Sequence, residues 1–370
     1  MARSATEEAQ RREEELLVID CDIHQDWTTD EEFVQYLPEH YQDRGLTTPG
    51  GRGWTSPLGE FGHLRDDAAP EHGPPGSDYD LLAEQLFGDF GVDYGILTGP
   101  GAGRSLMLHP NVHYAKAAIR AYNEWQIHEW LDRDDRLLGS IHVVPHAPEH
   151  AIEEINRLAS HPRMVQVMMP VVHEAPLGRP TYWDIYEAAV ENDLPVAMHG
   201  GPAGSGVATA PRTAAGVSGS YFEKHILGSA VHMGQLTSLI VNGVFVEYPD
   251  LDWVFIEQRL GWIPHVMWHM DKCWKGLKEA YPWLDRPPSD YIRENVWFTT
   301  QPIEEPEKRE HLFQLFDMLH ADETLMFSSD YPHWDNDDPN HILRDLDHET
   351  KERIFYKNAV DVYNLESIIA

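Results

Sequence analysis

Three stretches of the chain place metal-binding side chains directly after runs of apolar, strand-forming residues. The first run leads into Asp22 and His24, which share one face because side chains alternate along a strand. Two later runs end at His199, followed by two glycines, and at Asp330, followed by Tyr-Pro-His. Two imidazoles and two carboxylates form a ligand set that suits Zn²⁺, Mn²⁺ or Fe²⁺.

Each stretch also has a plainer interpretation. Asp20 could cap a turn, and His24 and His199 could be ordinary buried histidines. The coincidence of three such strand ends favours a metal site, because a buried acid such as Asp330 is costly unless it meets a cation. The sequence therefore predicts one divalent ion, Zn²⁺ before Mn²⁺ or Fe²⁺, held by Asp22, His24, His199 and Asp330.

The elements that must position these residues alternate between short apolar runs and amphipathic stretches. The predicted strands are Leu16–His24, Tyr94–Thr98, Leu137–Pro145, Met164–Pro170, Pro195–His199, Asp252–Gln258, Val296–Gln301 and Thr324–Asp330. The predicted helices are Tyr79–Phe90, Asn111–Asp132, Pro148–Ala159, Tyr182–Asn192, Tyr221–Gly243, Ile263–Leu277, Glu307–Leu319 and Thr350–Tyr363. This succession predicts a single (β/α)8 TIM barrel with its site at the carboxyl ends of the strands. A doubly wound open sheet is the alternative, disfavoured because no Gly-rich phosphate loop follows the first strand.

The barrel domain is predicted to span residues 16–370, after a charged N-terminal extension at 1–15. Residues 26–78 interrupt the alternation with many glycines, prolines and aromatic residues. A long irregular segment after the first strand lies at the mouth of a barrel, where such loops are often functional. We therefore predict that 26–78 is a lid-like insertion.

The formal net charge of −34 restricts the partners. It excludes nucleic acid and an anionic membrane surface, because both repel an acidic protein. No apolar run is long enough to span a bilayer, so a soluble cytoplasmic enzyme with a small-molecule substrate is predicted. The acidic, lysine-poor composition suits a salt-rich cytoplasm, although it could simply keep the protein soluble. Two cysteines cannot build a disulfide framework, and a homodimer is expected only from base rates.

The chain resembles the amidohydrolase-related family that includes the aminocarboxymuconate-semialdehyde and resorcylate-type decarboxylases. The resemblance spans Val18 to Tyr363 and rests on the stretches 19–24, 198–201, 248–251 and 327–334. It implies that Asp22, His24, His199 and Asp330 bind the metal. Many members have histidine where Asp22 stands, and the decarboxylases have a catalytic histidine near Glu257.

Hydrolysis by metal-activated water is the first hypothesis, because Glu257 stands where the decarboxylases have their catalytic histidine. Asp330 would be the catalytic proton acceptor, and Glu257, its pKa raised by burial, a second acid/base group. Non-oxidative decarboxylation of an aromatic or unsaturated acid is the alternative, with Asp330 delivering a proton to carbon. A third hypothesis is a barrel that binds a ligand without catalysis. Arg104 could clamp a substrate carboxylate, unless it is an ordinary surface arginine.

Overall fold

The computed structural model describes residues 16–43, 45–46, 62–200 and 220–369. The predicted N-terminal extension, residues 1–15, lies outside the described residues. Part of the predicted lid-like insertion lies outside them too. Its role as a lid therefore stays a prediction.

Eight parallel strands form one sheet in which each strand pairs with the next along the chain. The strands are β1 Ile19–Ile23, β2 Tyr94–Leu97, β3 Leu137–His142, β4 Met164–Pro170, β5 Val196–His199, β6 Trp253–Ile256, β7 Val296–Thr299 and β8 Leu325–Met326. The sheet curves back on itself, so that its first and last strands meet. At this closure Cys21 donates its backbone N–H to the carbonyl of Phe327 at 3.0 Å. Ile23 forms a parallel bridge with Tyr331 next to this contact. The predicted TIM barrel is confirmed.

Helices fill the connections between the strands. In the first half they are α1 Asp30–Val34, α2 Glu39–Gln42, α3 Tyr79–Ala83, α4 Gly101–Met107, α5 Val112–Gln126, α6 Pro148–Leu158 and α7 Trp183–Glu191. In the second half they are α8 Tyr221–Val241, α9 Val244–Glu247, α10 Ile263–Leu277, α11 Pro288–Asn295, α12 Arg309–Leu319, α13 Ala321–Thr324, α14 Pro339–Ile342, α15 His348–Glu352, α16 Asn358–Tyr363 and α17 Glu366–Ile369. None of the helices within the described ranges has the length and apolar character needed to cross a membrane.

The strands are buried on both faces, as a barrel covered by helices requires. Every residue of β1, β3, β4, β5 and β6 is buried. The predicted ends of β4 and β5 are confirmed, whereas the other six predicted strands run too far at their carboxyl ends, most of all β8, which was expected to reach Asp330. The chain leaves the ladder after Met326 and reaches a left-handed conformation at Asp330, with φ at 61°. Aspartate adopts this conformation more readily than most residues.

Several short helices were not predicted, among them α4, which follows β2, and α11, which leads into β7. The helix α4 begins at Gly101 and contains Gly103, and glycine weakens the helical signal of so short a segment. The helix α11 begins with proline at its first position, which suits a helix start but resembles a loop in the sequence. The first of these helices carries Arg104 into the interior.

Candidate metal centre

Four side chains converge at the carboxyl ends of three strands. Asp22, His24, His199 and Asp330 each offer one ligand atom, and these atoms all lie within 4.8 Å of one another. All four side chains are buried. The structure thus brings together the complete set of predicted ligands, from β1, from β5 and from the segment after β8.

Both histidines turn the same ring nitrogen toward the carboxylates. The Nδ1 atom of His24 lies 2.7 Å from the carbonyl oxygen of Gly99, and its Nε2 lies 2.8 Å from Asp330 Oδ1. The Nδ1 atom of His199 lies 2.7 Å from the next residue's carbonyl oxygen, and its Nε2 lies 3.2 Å from Asp22 Oδ2. Each Nδ1–H can therefore donate to a backbone carbonyl, which leaves the Nε2 lone pair for a metal ion.

The charges of the cluster also fit a divalent ion. Burial lowers the pKa of His24 well below its usual value, although Asp22 opposes this, so the imidazole is neutral. Neither Asp22 nor Asp330 is within salt-bridge distance of a lysine or arginine among the described residues. Two buried carboxylates that face a single imidazolium, that of His333 beside Asp330, need further positive charge. One divalent cation supplies it, so the residues present fit the group.

His333 is a further member of the site that sequence reasoning did not assign. Its Nδ1 lies 2.8 Å from Asp330 Oδ1. Burial lowers the pKa of His333, but the charge and hydrogen bond of Asp330 outweigh this and raise it to about 9. The spacing of three residues between Asp330 and His333 was the available signal. The ring of His333 also packs edge-on against His24, with centroids 4.7 Å apart.

Glu257 lies beyond β6 with its Oε2 atom 3.7 Å from His199 Nδ1. The expectation that burial would raise its pKa is wrong. Burial does act in that direction, but the neighbouring basic side chains, Lys224 first and then His199, His333 and Arg259, hold the pKa well below its usual value. Glu257 is therefore an ionised carboxylate beside the cluster.

Gly200 makes room for this carboxylate. A Cβ atom at residue 200 would lie 2.4 Å from Glu257 Oε2, closer than two such atoms can approach. Glycine at this position therefore permits a side-chain atom to approach the backbone closely. The atom that approaches is a carboxylate oxygen.

Arg104 is buried, with 7% of its surface exposed, so the alternative of a surface arginine is wrong. Its Nη1 donates to the carbonyl of Gly99 at 2.8 Å and lies 3.2 Å from His24 Nδ1. The guanidinium is therefore next to a predicted metal ligand.

The family model described as "Amidohydrolase" matches residues 19–365, nearly the whole chain. The chain belongs to the amidohydrolase family. The resemblance seen in the sequence is therefore confirmed, and so is the prediction that the chain is an enzyme. No curated protein matches the sequence.

Several solved structures resemble this amidohydrolase in fold. An amidohydrolase from Mycobacterium avium subsp. paratuberculosis K-10 has a TM-score of 0.69 at 17% identity, covering 94% of this chain and 99% of its own. The 5-carboxyvanillate decarboxylase of Novosphingobium aromaticivorans, complexed with manganese and a nitrobenzoic acid, has a TM-score of 0.68 at 20% identity, covering 95% and 97%. The 2,6-dihydroxybenzoate decarboxylase from Rhizobium has a TM-score of 0.65 at 19% identity, covering 95% and 100%. At these identities the likeness establishes the fold.

Proposed function

We propose that this amidohydrolase-family enzyme removes CO2 non-oxidatively from an aromatic or unsaturated carboxylic acid. The carbon–carboxylate bond breaks, CO2 leaves, and the carbon that carried it takes up one proton. A divalent ion held by Asp22, His24, His199 and Asp330 would supply a Lewis acid that binds substrate oxygen atoms. We propose that this single ion is Mn²⁺ or Zn²⁺. Zn²⁺ is the prediction from the sequence, and manganese is bound in the carboxyvanillate decarboxylase.

The contact between Asp330 and His333 carries this proposal. Decarboxylation needs a proton delivered to carbon, whereas hydrolysis begins with a base that takes a proton from water. The Nδ1–H of His333, 2.8 Å from Asp330 Oδ1, can return a proton to this carboxylate after each turnover. His333 is 8% exposed, so its own proton can be replaced from solvent. Asp330 would then deliver the proton, as the sequence suggested for this reaction.

The comparisons support the same choice. Structures that share this fold over 95% of the chain include the carboxyvanillate and dihydroxybenzoate decarboxylases, which act on aromatic acids. This similarity supports decarboxylation. Hydrolysis, which was the first hypothesis from the sequence, becomes the second candidate. The cytoplasmic location and the homodimer stay predictions.

Hydrolysis is the second candidate because Glu257 is ionised. A carboxylate 3.7 Å from His199 could take a proton from an attacking water molecule. In the decarboxylase proposal the same carboxylate orients the substrate instead. The fate of water atoms in the product separates the two reactions.

The test incubates the metal-loaded enzyme with aromatic acids that carry a hydroxyl group beside the carboxylate. Products formed in D2O and in ¹⁸O-labelled water are analysed by mass spectrometry, and released CO2 is measured. We expect one CO2 per product, one deuteron on the carbon that lost it, and no ¹⁸O in the organic product. The corresponding amides and esters are tested in parallel, because an ¹⁸O-labelled acid formed from one of them without release of CO2 would establish hydrolysis. Absence of CO2 from the whole panel would contradict decarboxylation of this class of acids.

A further inference from the structure

Two histidines lie one helical turn apart on the outer surface of α10. His265 and His269 are four residues apart in this helix, which places both side chains on one of its faces. Both side chains are exposed. Their ring planes differ by 7°, and the ring centroids lie 6.0 Å apart. The two imidazoles are therefore neighbours at a surface that solvent reaches.

The ring nitrogens of this pair are available to a ligand. Within the described ranges, no hydrogen bond or ion pair involves the ring of His265 or His269. Other exposed histidines of this acidic chain pair with carboxylates. The Nδ1 atom of His128 lies 3.3 Å from Asp132, and that of His341 lies 2.8 Å from Asp338. The pair on α10 thus keeps donor atoms that these histidines use within the protein.

The pair lines a groove of about 400 Å³ between α8, α10 and the segment 281–288. Most of the groove wall is apolar, with Met233 on α8 and Trp274 on α10 among its side chains. The exposed thiol of Cys273 lines it as well, one turn beyond His269. An apolar wall lowers the local dielectric constant, which strengthens the interaction of an ion with its ligands.

We propose that His265 and His269 hold a second divalent ion, and that this ion is Zn²⁺. Two histidines at this spacing on one helix face bind zinc in metalloproteases, where a glutamate directly after the first histidine is the general base. In this chain Val266 follows the first histidine. The pair therefore binds the ion without providing the base for hydrolysis.

The pair needs little movement to bind the ion. With Zn–N bonds of about 2.1 Å, two imidazoles on one tetrahedral ion have ring centres roughly 5 Å apart. The observed separation is 6.0 Å, and small side-chain rotations of exposed residues close such a gap. Water completes the coordination. Because two protein ligands supply about half of what a four-ligand structural site provides, we expect a Kd on the order of 1 to 100 µM.

This site is separate from the metal centre and independent of the proposed reaction. The metal centre is buried and lies at the carboxyl ends of the strands, whereas the pair lies on the outer face of a helix. An ion bound there ties residues 265 and 269 together and so stabilises the first turns of α10. Its weak binding means that dialysis removes it and leaves the ion of the metal centre in place.

The first test measures the second ion by calorimetry. Enzyme without an affinity tag, its metal centre filled with zinc, is dialysed and titrated with Zn²⁺. We expect one further ion per chain in the wild type and no such event in the double variant His265→Ala/His269→Ala. The acidic surface attracts cations everywhere, so the difference between the two titrations decides. The absence of a second event in the wild type, or the same event in the double variant, would overturn the proposal.

Two controls are matched to the pair. His311→Ala removes an exposed histidine of α12 that has no histidine one turn away, and the second event should persist. Cys273→Ser removes the nearby thiol, and the Kd should stay within about twofold, since imidazole alone suits zinc. Loss of the second event in Cys273→Ser would assign the ion to the thiol and overturn the pair.

The second test observes the ligands themselves. Proton–carbon NMR spectra of enzyme labelled in histidine are recorded during the same titration, with the signals of His265 and His269 assigned from the single alanine variants. We expect both signals to change together, with the Kd found by calorimetry, while the signal of His311 stays in place. A change in only one of the two signals, or in neither, would overturn the proposal.

Discussion

Asp20 accepts hydrogen bonds from both the backbone N–H and the hydroxyl of Ser329. This contact joins β1 to the segment after β8 inside the barrel. Its consequence reaches the metal centre, because Asp22 follows two residues after Asp20 and Asp330 follows directly after Ser329. The Asp20–Ser329 contact therefore sets the spacing between the two carboxylate ligands.

Replacing this carboxylate should weaken metal binding although Asp20 is not a ligand. In Asp20→Ala the donors of Ser329 lose a buried acceptor, which costs about 1 to 3 kcal/mol of unfolding free energy. Metal affinity should fall about ten- to a hundredfold, as for other residues that orient ligands. Urea unfolding and metal titration measure the two effects. The control Asp252→Ala removes an acceptor for Trp297 at the start of β6, and it should leave metal affinity unchanged. Equal affinities in Asp20→Ala and the wild type would refute the positioning role.

His333→Gln should slow turnover without removing the metal. Glutamine can still donate a hydrogen bond to Asp330 but cannot pass on a proton, so kcat for CO2 release should fall about a hundredfold or more. The control is His341→Gln, because His341 also lies 2.8 Å from an aspartate three residues earlier, on the exposed surface. Its kcat should stay at the wild-type value. An unchanged kcat in His333→Gln would exclude proton transfer through this histidine.

Gly200→Ala tests the contribution of Glu257. The new methyl group would meet Glu257 Oε2, the free end of a flexible side chain, so the carboxylate should move and the fold should tolerate the change. We expect kcat to fall about tenfold or more while the melting temperature and metal content stay near the wild type. The control Gly276→Ala lies where an added Cβ meets nothing within 4 Å. Wild-type kinetics in Gly200→Ala would show that the position of Glu257 does not matter.

Asp337 should make the stability of the protein fall as the pH rises. Burial raises its pKa from 3.8 to about 8, and among the described residues its side chain accepts a single long hydrogen bond, 3.4 Å, from the backbone N–H of Ile303. Because the folded pKa exceeds the unfolded value, the stabilising contribution is complete below pH 3.8 and is lost as the pH approaches 8. Between pH 5 and pH 8 the unfolding free energy should fall in the wild type and fall less in Asp337→Asn. The two changes should differ by more than about 1 kcal/mol. Asp135→Asn, at an exposed carboxylate, is the control. Parallel pH profiles for Asp337→Asn and the wild type would contradict the assignment.

The barrel and its ligands were predictable because they depend on local patterns. Apolar runs covered on both sides give strands, and parallel strands bring their carboxyl ends to one edge, so Asp22, His199 and Asp330 had to meet once the succession was recognised. The strand ends were less predictable. The strand β8 ends at Met326 and Asp330 takes a left-handed conformation, and no apolar pattern marks either change.

The properties of the site that depend on neighbours from other elements could not be predicted. Arg104 is buried because α4, weakened in the sequence by its glycines, folds as a helix at the barrel mouth. The pKa of Glu257 is lowered by groups on α8, β5 and the last loop, which the sequence cannot place beside it. The sequence shows that His333 follows Asp330 by three residues, but it does not show that His333 Nδ1 lies beside Asp330 Oδ1.

The central claim is that Asp22, His24, His199 and Asp330 hold one divalent ion, and the most direct test is the metal content of the purified enzyme. Plasma mass spectrometry would compare the wild type with His199→Ala and Asp330→Ala, and with His341→Ala as a control at an exposed histidine. We expect about one divalent ion per chain in the wild type and the control, and its loss in both ligand variants. A wild type that holds no metal after supplementation with Mn²⁺ or Zn²⁺, or ligand variants that keep it, would show that these four residues do not form the metal site.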